Sequence, residues 1–353
     1  KQKDLEVKRQ REQLAIYQKQ KKQRQEEVAQ NKRRNKKEVS NQDYSEAETR
    51  ELFIDLLLKE AGWDPKGKNV EEYEVSGMPN NQNKGFVDYV LWGDDGLPLG
   101  LVEAKRTKVD PEKGRHQAEL YADCLEKMHG QRPIIFYSNG YDHWIWDDQN
   151  YPPRSVQGFY TKNQLQTVIN RRKMKKSLIG AKINKDITGR YYQLEGLQRV
   201  FEDFEQKERK ALLVMATGTG KTRTAISLVD ILMKHNWVKN VLFLADRNAL
   251  VKQAKNAFND MLPQATAVNI CNDKENDSSR LVFSTYPTMM NAIDEAKKDG
   301  KKRFSVGHFD LIIVDEAHRS VYQKYRAIFE YFDALLVGLT ATPKSDIDHN
   351  TYE

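Results

Sequence analysis

The run Ala211-Leu-Leu-Val-Met-Ala-Thr-Gly-Thr-Gly-Lys-Thr-Arg-Thr224 is the most informative part of the second half of this chain. Its apolar start, residues 211–215, predicts a buried parallel strand, and the apolar residues after Lys221 have helical spacing. Glycines between the two elements let backbone N–H groups surround a phosphate without clashes, and the helix N-terminus adds partial positive charge. The stretch therefore predicts a phosphate-binding loop between a strand and a helix.

The candidate nucleotide ligands of this loop are Thr217, Gly218, Thr219, Gly220, Lys221 and Thr222. Lys221 can reach the β- and γ-phosphates of a triphosphate, and Thr222 can ligate Mg²⁺. Met215 occupies the place of the first glycine in the usual G-x-x-x-x-G-K-[ST] pattern, so the loop departs from the strict motif. The alternative interpretation is a glycine-rich turn that carries a solvent-exposed lysine.

Length and composition indicate a soluble protein of several domains. A chain of 353 residues is too long for one compact core, and two or three domains are expected. No apolar run approaches the roughly 20 residues of a membrane span, and no signal-peptide pattern is present. Cys124 and Cys271 lack the spacing of a zinc site or a disulfide framework. We therefore expect a cytoplasmic protein without a membrane partner.

The net charge of +7 belongs to one segment of the chain. Residues 1–40 contain 14 Lys and Arg against 6 Asp and Glu, and the remaining residues contain 44 against 45. The difference is +8 for the first segment and −1 for the rest. Residues 1–43 are predicted to form a basic helical segment, which is either a solvated helix or an arm that contacts DNA phosphates.

Residues 44–157 are predicted to form a mixed α/β domain. Ser45 and Glu48 have the spacing of a capping box, and the helix that they begin is expected to end at Gly62. The remaining predicted elements are strands at 86–92 and 99–104 joined as a hairpin, a helix at 112–129, and strands at 133–138 and 143–146.

The second half of the chain is predicted to form another type of domain. Residues 158–185 are basic and poorly patterned, so we interpret them as a linker whose charge is mostly solvent-exposed. Residues 186–353 show the strand–helix alternation of a doubly wound parallel sheet. Its predicted strands are at 211–215, 241–245, 281–284, 311–314 and 335–339.

A group of charged residues in the first domain has the pattern of a metal site. Asp88 interrupts an apolar strand, where an ionised carboxylate is costly unless it is paired or ligates a metal. Glu103 and Lys105 share one face of the next strand because side chains alternate. Asp88 and Glu103 can hold Mg²⁺ and activate a water for attack on a phosphodiester, while Lys105 stabilises the developing charge. A strand-edge ion pair is the alternative.

A helical motif favours the catalytic interpretation. Gln117 and Tyr121, on the following helix, are four residues apart and share one helix face, from which both can point toward the strand ends. Together with Asp88 and Glu103-x-Lys105 they resemble the Q-x-x-x-Y subgroup of the PD-(D/E)xK nucleases. The proline that gives that family its name is absent, because Val87 precedes Asp88. Glu48 or Glu51 could add a further carboxylate to the metal site.

The second domain carries further nucleotide-binding motifs. The apolar run 311–314 ends in Asp315 and Glu316, where the carboxyl end of a parallel strand presents ligands. Asp315 would hold Mg²⁺, and Glu316 would polarise the attacking water. This Asp-Glu-Ala-His318 run, the segment around Gln193 and the run from Gly338 to Pro343 resemble motifs of superfamily 2 helicases. The resemblance implies that Gln193 contacts adenine.

A PD-(D/E)xK nuclease domain followed by such a motor resembles the R subunit of type I restriction–modification enzymes, over about residues 44–353. That resemblance implies a fold of a nuclease-like mixed α/β domain followed by a RecA-like lobe. It also implies an ATP- and Mg²⁺-dependent subunit that translocates double-stranded DNA and cuts it away from the recognition site. The implied partners are methyltransferase (M) and specificity (S) subunits, which would supply AdoMet use and sequence choice.

Two other functions are compatible with the same motifs. One is a superfamily 2 DNA or RNA helicase or repair translocase whose first domain is a non-catalytic binding module. The other is an inert interaction scaffold, which would bind no ATP–Mg²⁺. The chain stops shortly after the segment that resembles motif III, so we expect the second motor lobe to be absent and ATP turnover to be low.

Overall fold

The computed structural model describes residues 44–273, 279–295, 302–317 and 319–341. The predicted basic segment 1–43 lies outside the described residues, as do His318, Thr342 and Pro343. Within the described ranges the chain forms two six-stranded sheets with helices on both faces of each sheet. The predicted mixed α/β class, with parallel strand pairing, is confirmed. None of the described helices is long and apolar enough to cross a membrane.

The first sheet has its strands in sequence order. Only the β3–β4 pair is parallel, and the other pairs are antiparallel. Its strands are β1 (Glu71–Ser76), β2 (Lys84–Trp92), β3 (Pro98–Ala104), β4 (Ile134–Ser138), β5 (His143–Trp146) and β6 (Arg154–Val156). Every residue of β3 and β4 is buried, which explains the apolar composition of both strands.

Three helices cover the two faces of this sheet. Helix α1 consists of Glu46–Thr49, a π-helical turn at Arg50–Ile54, and Asp55–Glu60. Helix α2 (Glu112–His129) crosses from β3 to β4 on the opposite face, and helix α3 (Lys162–Met174) lies on the α1 side. The predicted capping box of Ser45 and Glu48 begins α1.

The second sheet is entirely parallel, in the order β7-β12-β11-β8-β10-β9. Its strands are β7 (Lys210–Val214), β8 (Val241–Ala245), β9 (Ala267–Asn269), β10 (Leu281–Thr285), β11 (Leu311–Asp315) and β12 (Leu335–Thr340). Its helices are α4 (Tyr191–Glu205), α5 (Lys221–Lys234), α6 (Asn248–Met261), α7 (Tyr286–Asp294), α8 (Arg319–Lys324) and α9 (Arg326–Tyr331). All five strands predicted for this half are present, within one residue at each end.

The predicted linker needs correction. Most of its first half forms α3, whose Leu165 and Ile169 are buried in the core beside the first sheet. Its charge is also less exposed than expected, because Arg171 pairs with Asp310 at 2.6 Å. Arg172 donates to the backbone carbonyl of Arg132. The sequence did not indicate this helix, because most of its residues are polar and its apolar stripe is short. Strands β1, β6 and β9 were likewise missed, since they are short or polar.

A buried ion cluster joins the two sheets. The Asp333 carboxylate, immediately before β12, accepts hydrogen bonds from Arg154 Nη2 at 2.6 Å and Arg209 Nη2 at 2.7 Å. Tyr160 Oη donates to the same carboxylate at 2.6 Å. Arg154 belongs to β6 and Arg209 precedes β7, so the cluster fixes the edge of the first sheet against the amino ends of β7 and β12.

Candidate functional site

The predicted carboxylates of the first sheet are neighbours. Asp88 on β2 lies next to the end of β3, since its Oδ2 accepts the backbone N–H of Ala104 at 2.7 Å. Its Oδ1 accepts a hydrogen bond from Arg50 Nη1 at 3.0 Å. Glu103 belongs to β3 and is 2% exposed. The antiparallel β2–β3 register therefore brings the two carboxylates to the same end of the strand pair.

One hydrogen-bonded chain connects the other predicted residues. Lys105 Nζ is 2.6 Å from Glu103 Oε1 and 3.1 Å from Gln117 Oε1. Gln117 Nε2 then donates to Tyr121 Oη at 2.9 Å. Helix α2 lies against β3, so the shared helix face of Gln117 and Tyr121 points to the strand end, as the sequence spacing predicts. The network orients the Lys105 ammonium group beside Glu103.

Burial sets the electrostatics of this site. Burial raises the pKa of Glu103 to about 8, and the nearby charge of Asp88 adds to the shift. Burial also raises the pKa of Asp88, although Ala104 N–H and Arg50 oppose the shift. Burial opposes the charge on Lys105, but Glu103 outweighs it, and the pKa of Lys105 is raised. A bound cation would relieve the repulsion between the two carboxylates.

The oxygen atoms of Glu103 fit a Mg²⁺ ligand. Glu103 Oε2 is buried and has no hydrogen-bond partner among the described residues, which is rare for a buried carboxylate oxygen. No group of three or more His, Cys, Asp or Glu side chains in the described ranges forms a complete metal cluster. Mg²⁺ is commonly held by one or two carboxylates together with water and substrate phosphate, so the chemistry of Asp88 and Glu103 is compatible with this ion.

Two residues near this site were missed by the sequence reasoning. Arg50 bridges Asp88 and Glu72, with its Nη2 2.9 Å from Glu72 Oε1. The α1 carboxylate that faces Lys105 is Glu46, at 3.9 Å, rather than Glu48 or Glu51. Glu48 instead accepts the Ser45 backbone N–H at 2.9 Å in the capping box. The residue spacing of α1 did not predict which carboxylate faces Lys105, because the contact depends on how α1 packs against the sheet.

The phosphate-binding loop connects β7 to α5 on the second sheet. Gly218 and Gly220 have φ angles of 79° and 93°, in the left-handed region that favours glycine. Thr219 Oγ1 donates to the Ala216 carbonyl at 2.6 Å and tightens the turn. Lys221 and Thr222 begin α5, so a phosphate in the loop would lie at the helix N-terminus.

The two acidic residues after β11 lie beside this loop. Glu316 Oε1 is 3.2 Å from Lys221 Nζ, which brings the residues of two distant motifs together. Burial and the neighbouring Glu316 raise the pKa of Asp315. Glu316 has a φ of 54°, an uncommon value for a non-glycine residue that is often associated with functional sites. This arrangement can hold Mg²⁺ through Asp315 and Thr222 and activate a water through Glu316.

Gln193, the predicted adenine contact, hydrogen-bonds to the phosphate-binding loop. Its side chain is 3% exposed, and its Nε2 donates to the Thr219 carbonyl at 2.9 Å. Its Oε1 accepts a short hydrogen bond from Thr188 Oγ1. Gln193 thus contacts the phosphate-binding loop, and contact with an adenine edge would require one of these hydrogen bonds to change.

Comparisons with known proteins give matches over both halves of the chain. Residues 68–154 match the family described as type I restriction enzyme R protein N terminus, and residues 186–345 match the res subunit of type III restriction enzymes. The EcoAI endonuclease subunit of Escherichia coli, a type I restriction enzyme, is 35% identical over 73% of this chain and 33% of its own length. The EcoKI endonuclease subunit of Escherichia coli strain K12 is 27% identical over 85% of this chain and 33% of its own length.

A solved fragment described as an HsdR subunit of a type I restriction enzyme, from Vibrio vulnificus YJ016, is 24% identical. The match covers 88% of this chain and 58% of that chain, with a TM-score of 0.37. The chain spans about a third of the length of the two curated relatives. By its sequence relationships over that third, the chain belongs to the family of endonuclease (R) subunits of type I restriction enzymes.

Proposed function

We propose that this chain is the nuclease and nucleotide-binding part of an ATP-dependent endonuclease subunit that translocates double-stranded DNA and cleaves it away from the recognition site. The first unit, residues 44–157, would act as a PD-(D/E)xK nuclease, and the second, residues 186–353, as a RecA-like motor lobe. The observation that carries the proposal is the hydrogen-bonded network around Glu103 and Lys105, with a buried carboxylate oxygen left unpaired among the described residues.

The residues of the first site have distinct chemical roles. Asp88 and Glu103 would hold Mg²⁺, and the chemistry that this ion would supply is a lowered pKa of a bound water that can attack phosphorus. Lys105 orients that water or stabilises the negative charge that develops on the phosphate. Gln117 and Tyr121 position Lys105 through the hydrogen bonds described above. A strand-edge ion pair would explain the Lys105 contact, but it would not explain the unpaired Oε2 of Glu103.

The second site binds ATP with Mg²⁺ through the loop residues Thr217, Gly218, Thr219, Gly220, Lys221 and Thr222. Asp315 and Thr222 would hold the Mg²⁺, and Glu316 would polarise the hydrolytic water. The Lys221–Glu316 contact of 3.2 Å supports this assignment because both groups face the same space at the end of β11. Gln193 would connect a bound adenine to the loop through its hydrogen bond to the Thr219 carbonyl.

The whole subunit would act in the cytoplasm with M and S subunits, and AdoMet would bind only to those partners. Their relationship to this chain rests on the relatives, which are named as subunits of type I restriction enzymes. The residues 158–185 join the two units, with α3 packed on the first.

Two substitutions in the full-length protein, assembled with its partner subunits, test the proposal. Asp88→Asn is expected to lower Mg²⁺-dependent cleavage of double-stranded DNA by about 100-fold or more, because it removes a metal ligand. ATP hydrolysis should be retained. Lys221→Ala is expected to abolish both ATP hydrolysis and cleavage. The matched control is Glu74→Gln, which removes a carboxylate from an exposed ion pair of the same sheet.

The two substitutions separate the competing functions. Cleavage that survives Asp88→Asn would show that the first unit is not the nuclease and would favour a helicase or repair translocase with a non-catalytic first domain. ATP hydrolysis that survives Lys221→Ala would contradict the assignment of the loop. The Glu74→Gln protein should retain both activities, since its carboxylate lies outside the Lys105 network.

A further inference from the structure

A cavity lies between the two sheets, on the side opposite the phosphate-binding loop. Its volume is about 630 Å³, within the usual range of small-molecule sites. Residues that precede β7, β8, β11 and β12 line it, so it faces the amino ends of the parallel strands. The loop lies at the carboxyl ends, and β7 is five residues long, which separates the two sites by about 16 Å.

The lining of this cavity has an excess of positive charge. Eight lysine and arginine side chains among the described residues line it, against four aspartates and glutamates, a difference of four. The body of the chain has no such excess, since its net charge after residue 40 is −1. Positive charge is therefore concentrated in this cavity, and an anion would find a favourable potential there.

Two of these arginines use only part of their hydrogen-bonding capacity. Arg154 contacts Asp333 through Nε and Nη2, yet its Nη1 is buried without a partner among the described residues. Arg171 contacts Asp310 through Nη1, yet its Nη2 is buried without one. Each guanidinium has five N–H donors, and one carboxylate can accept only two of them in a parallel pair. The remaining N–H groups suit a phosphate, which guanidinium groups bind with two parallel hydrogen bonds.

Lys175 adds a third cation to this lining. Its Nζ lies 3.2 Å from the centre of the Trp237 ring and 5.4 Å from that of Tyr151. Burial lowers the pKa of Lys175 to about 8, and Arg171 and Arg209 add to the shift, while Glu205 and Asp147 oppose it. The two carboxylates do not offset burial and the arginines, so the ammonium form remains disfavoured, and a bound anion would relieve this cost.

We propose that this cavity is a binding site for a small phosphate-bearing molecule, held by Arg154, Arg171 and Lys175. The site is separate from the ATP loop and from the carboxylates of the first sheet. Arg154 belongs to the first unit and Arg171 to α3, which packs on that unit, whereas their acidic partners belong to the second unit. An anion bound here would therefore strengthen the contact between the sheets.

The test uses inorganic pyrophosphate as the probe and the full chain with Lys221→Ala, which removes the contribution of the ATP loop. Isothermal titration should detect pyrophosphate binding in this background. Adding Lys175→Met is expected to weaken binding at least about tenfold, because it removes one charge-assisted contact. Lys173→Met is the matched control, since Lys173 is exposed two residues away and should leave binding unchanged.

The pH dependence separates a direct contact from a structural effect. Binding to the protein with Lys175 should tighten more between pH 9 and pH 7 than binding to Lys175→Met, because the ammonium form increases as the pH falls through about 8. A structural effect of Lys175→Met would shift affinity equally at both pH values, and that result would overturn the proposal.

Two other outcomes would also overturn it. If pyrophosphate does not bind the Lys221→Ala protein, the cavity is only a contact region between the sheets. If a short DNA duplex binds in a Lys175-dependent manner and pyrophosphate does not, the ligand is a strand phosphate and not a small molecule. The first unit's nuclease activity is not needed for either measurement, so this inference can fail independently of the proposed function.

Discussion

Replacing Asp333 by asparagine should remove much of the stability of the contact between the two sheets. The Asp333 side chain is 6% exposed and carries the only negative charge in contact with both Arg154 and Arg209 among the described ion pairs. Although burial opposes its charge, these two arginines hold the pKa of Asp333 well below its usual range. The carboxylate is therefore ionised at neutral pH, and its substitution leaves two guanidinium groups without this counterion.

The expected loss of stability reflects the hydrogen bonds that the Asp333 carboxylate accepts. The carboxylate accepts hydrogen bonds from Arg154 Nε at 2.8 Å, Arg209 Nη2 at 2.7 Å and Tyr160 Oη at 2.6 Å. Asparagine keeps the shape but replaces one acceptor oxygen with a donor. Removing one partner of a buried ion pair typically costs about 3–5 kcal/mol. We expect Asp333→Asn to lower the free energy of unfolding by about that amount.

Equilibrium unfolding in urea at pH 7 measures this change, read from the midpoint at an unchanged slope. The matched control is Asp94→Asn, because Asp94 is 89% exposed and pairs with Lys162 at the surface. Exposed ion pairs contribute about 0–1 kcal/mol, so the control should change little. A loss of less than about 1 kcal/mol for Asp333→Asn, or equal losses in both variants, would refute the idea that this cluster holds the sheets together.

Two further predictions concern pH and the loop. Burial lowers the pKa of His143 to about 4, so the contribution of this residue to stability is present above about pH 6.5 and is lost as the pH falls. Between pH 7 and pH 5 the expected loss is about 2 kcal/mol, which thermal unfolding should detect. His143→Asn should remove this pH dependence, whereas substitution of the exposed His116 should not. Gly220→Ala should weaken ATP binding more than Gly218→Ala, as measured by titration calorimetry. Both glycines have positive φ, but a Cβ on Gly220 would lie 2.4 Å from Gln193 Nε2, whereas one on Gly218 meets nothing within 4 Å. Equal affinities would show that backbone strain, and not this contact, limits the loop.

The candidate nuclease site was predictable where local periodicity governs geometry. Alternation along β3 placed Glu103 and Lys105 on one face, and helical spacing placed Gln117 beside Tyr121. The contact of Arg50 with Asp88 was not predictable, because the two residues are 38 positions apart and meet only after α1 has packed on the sheet. The same limit explains why Glu46, rather than Glu48, faces Lys105.

Local sequence was enough to predict the strand–loop–helix of the phosphate site and four other strands of the second sheet, because apolar runs and glycine positions act over a few residues. Which charges are buried between the sheets became apparent from the packing alone. Arg154 and Asp333 are 179 positions apart, and Arg171 lies in a segment whose composition indicated exposed charge. A charged side chain is stable in either environment, provided that a partner reaches it when buried, and the position of that partner depends on how the two sheets pack.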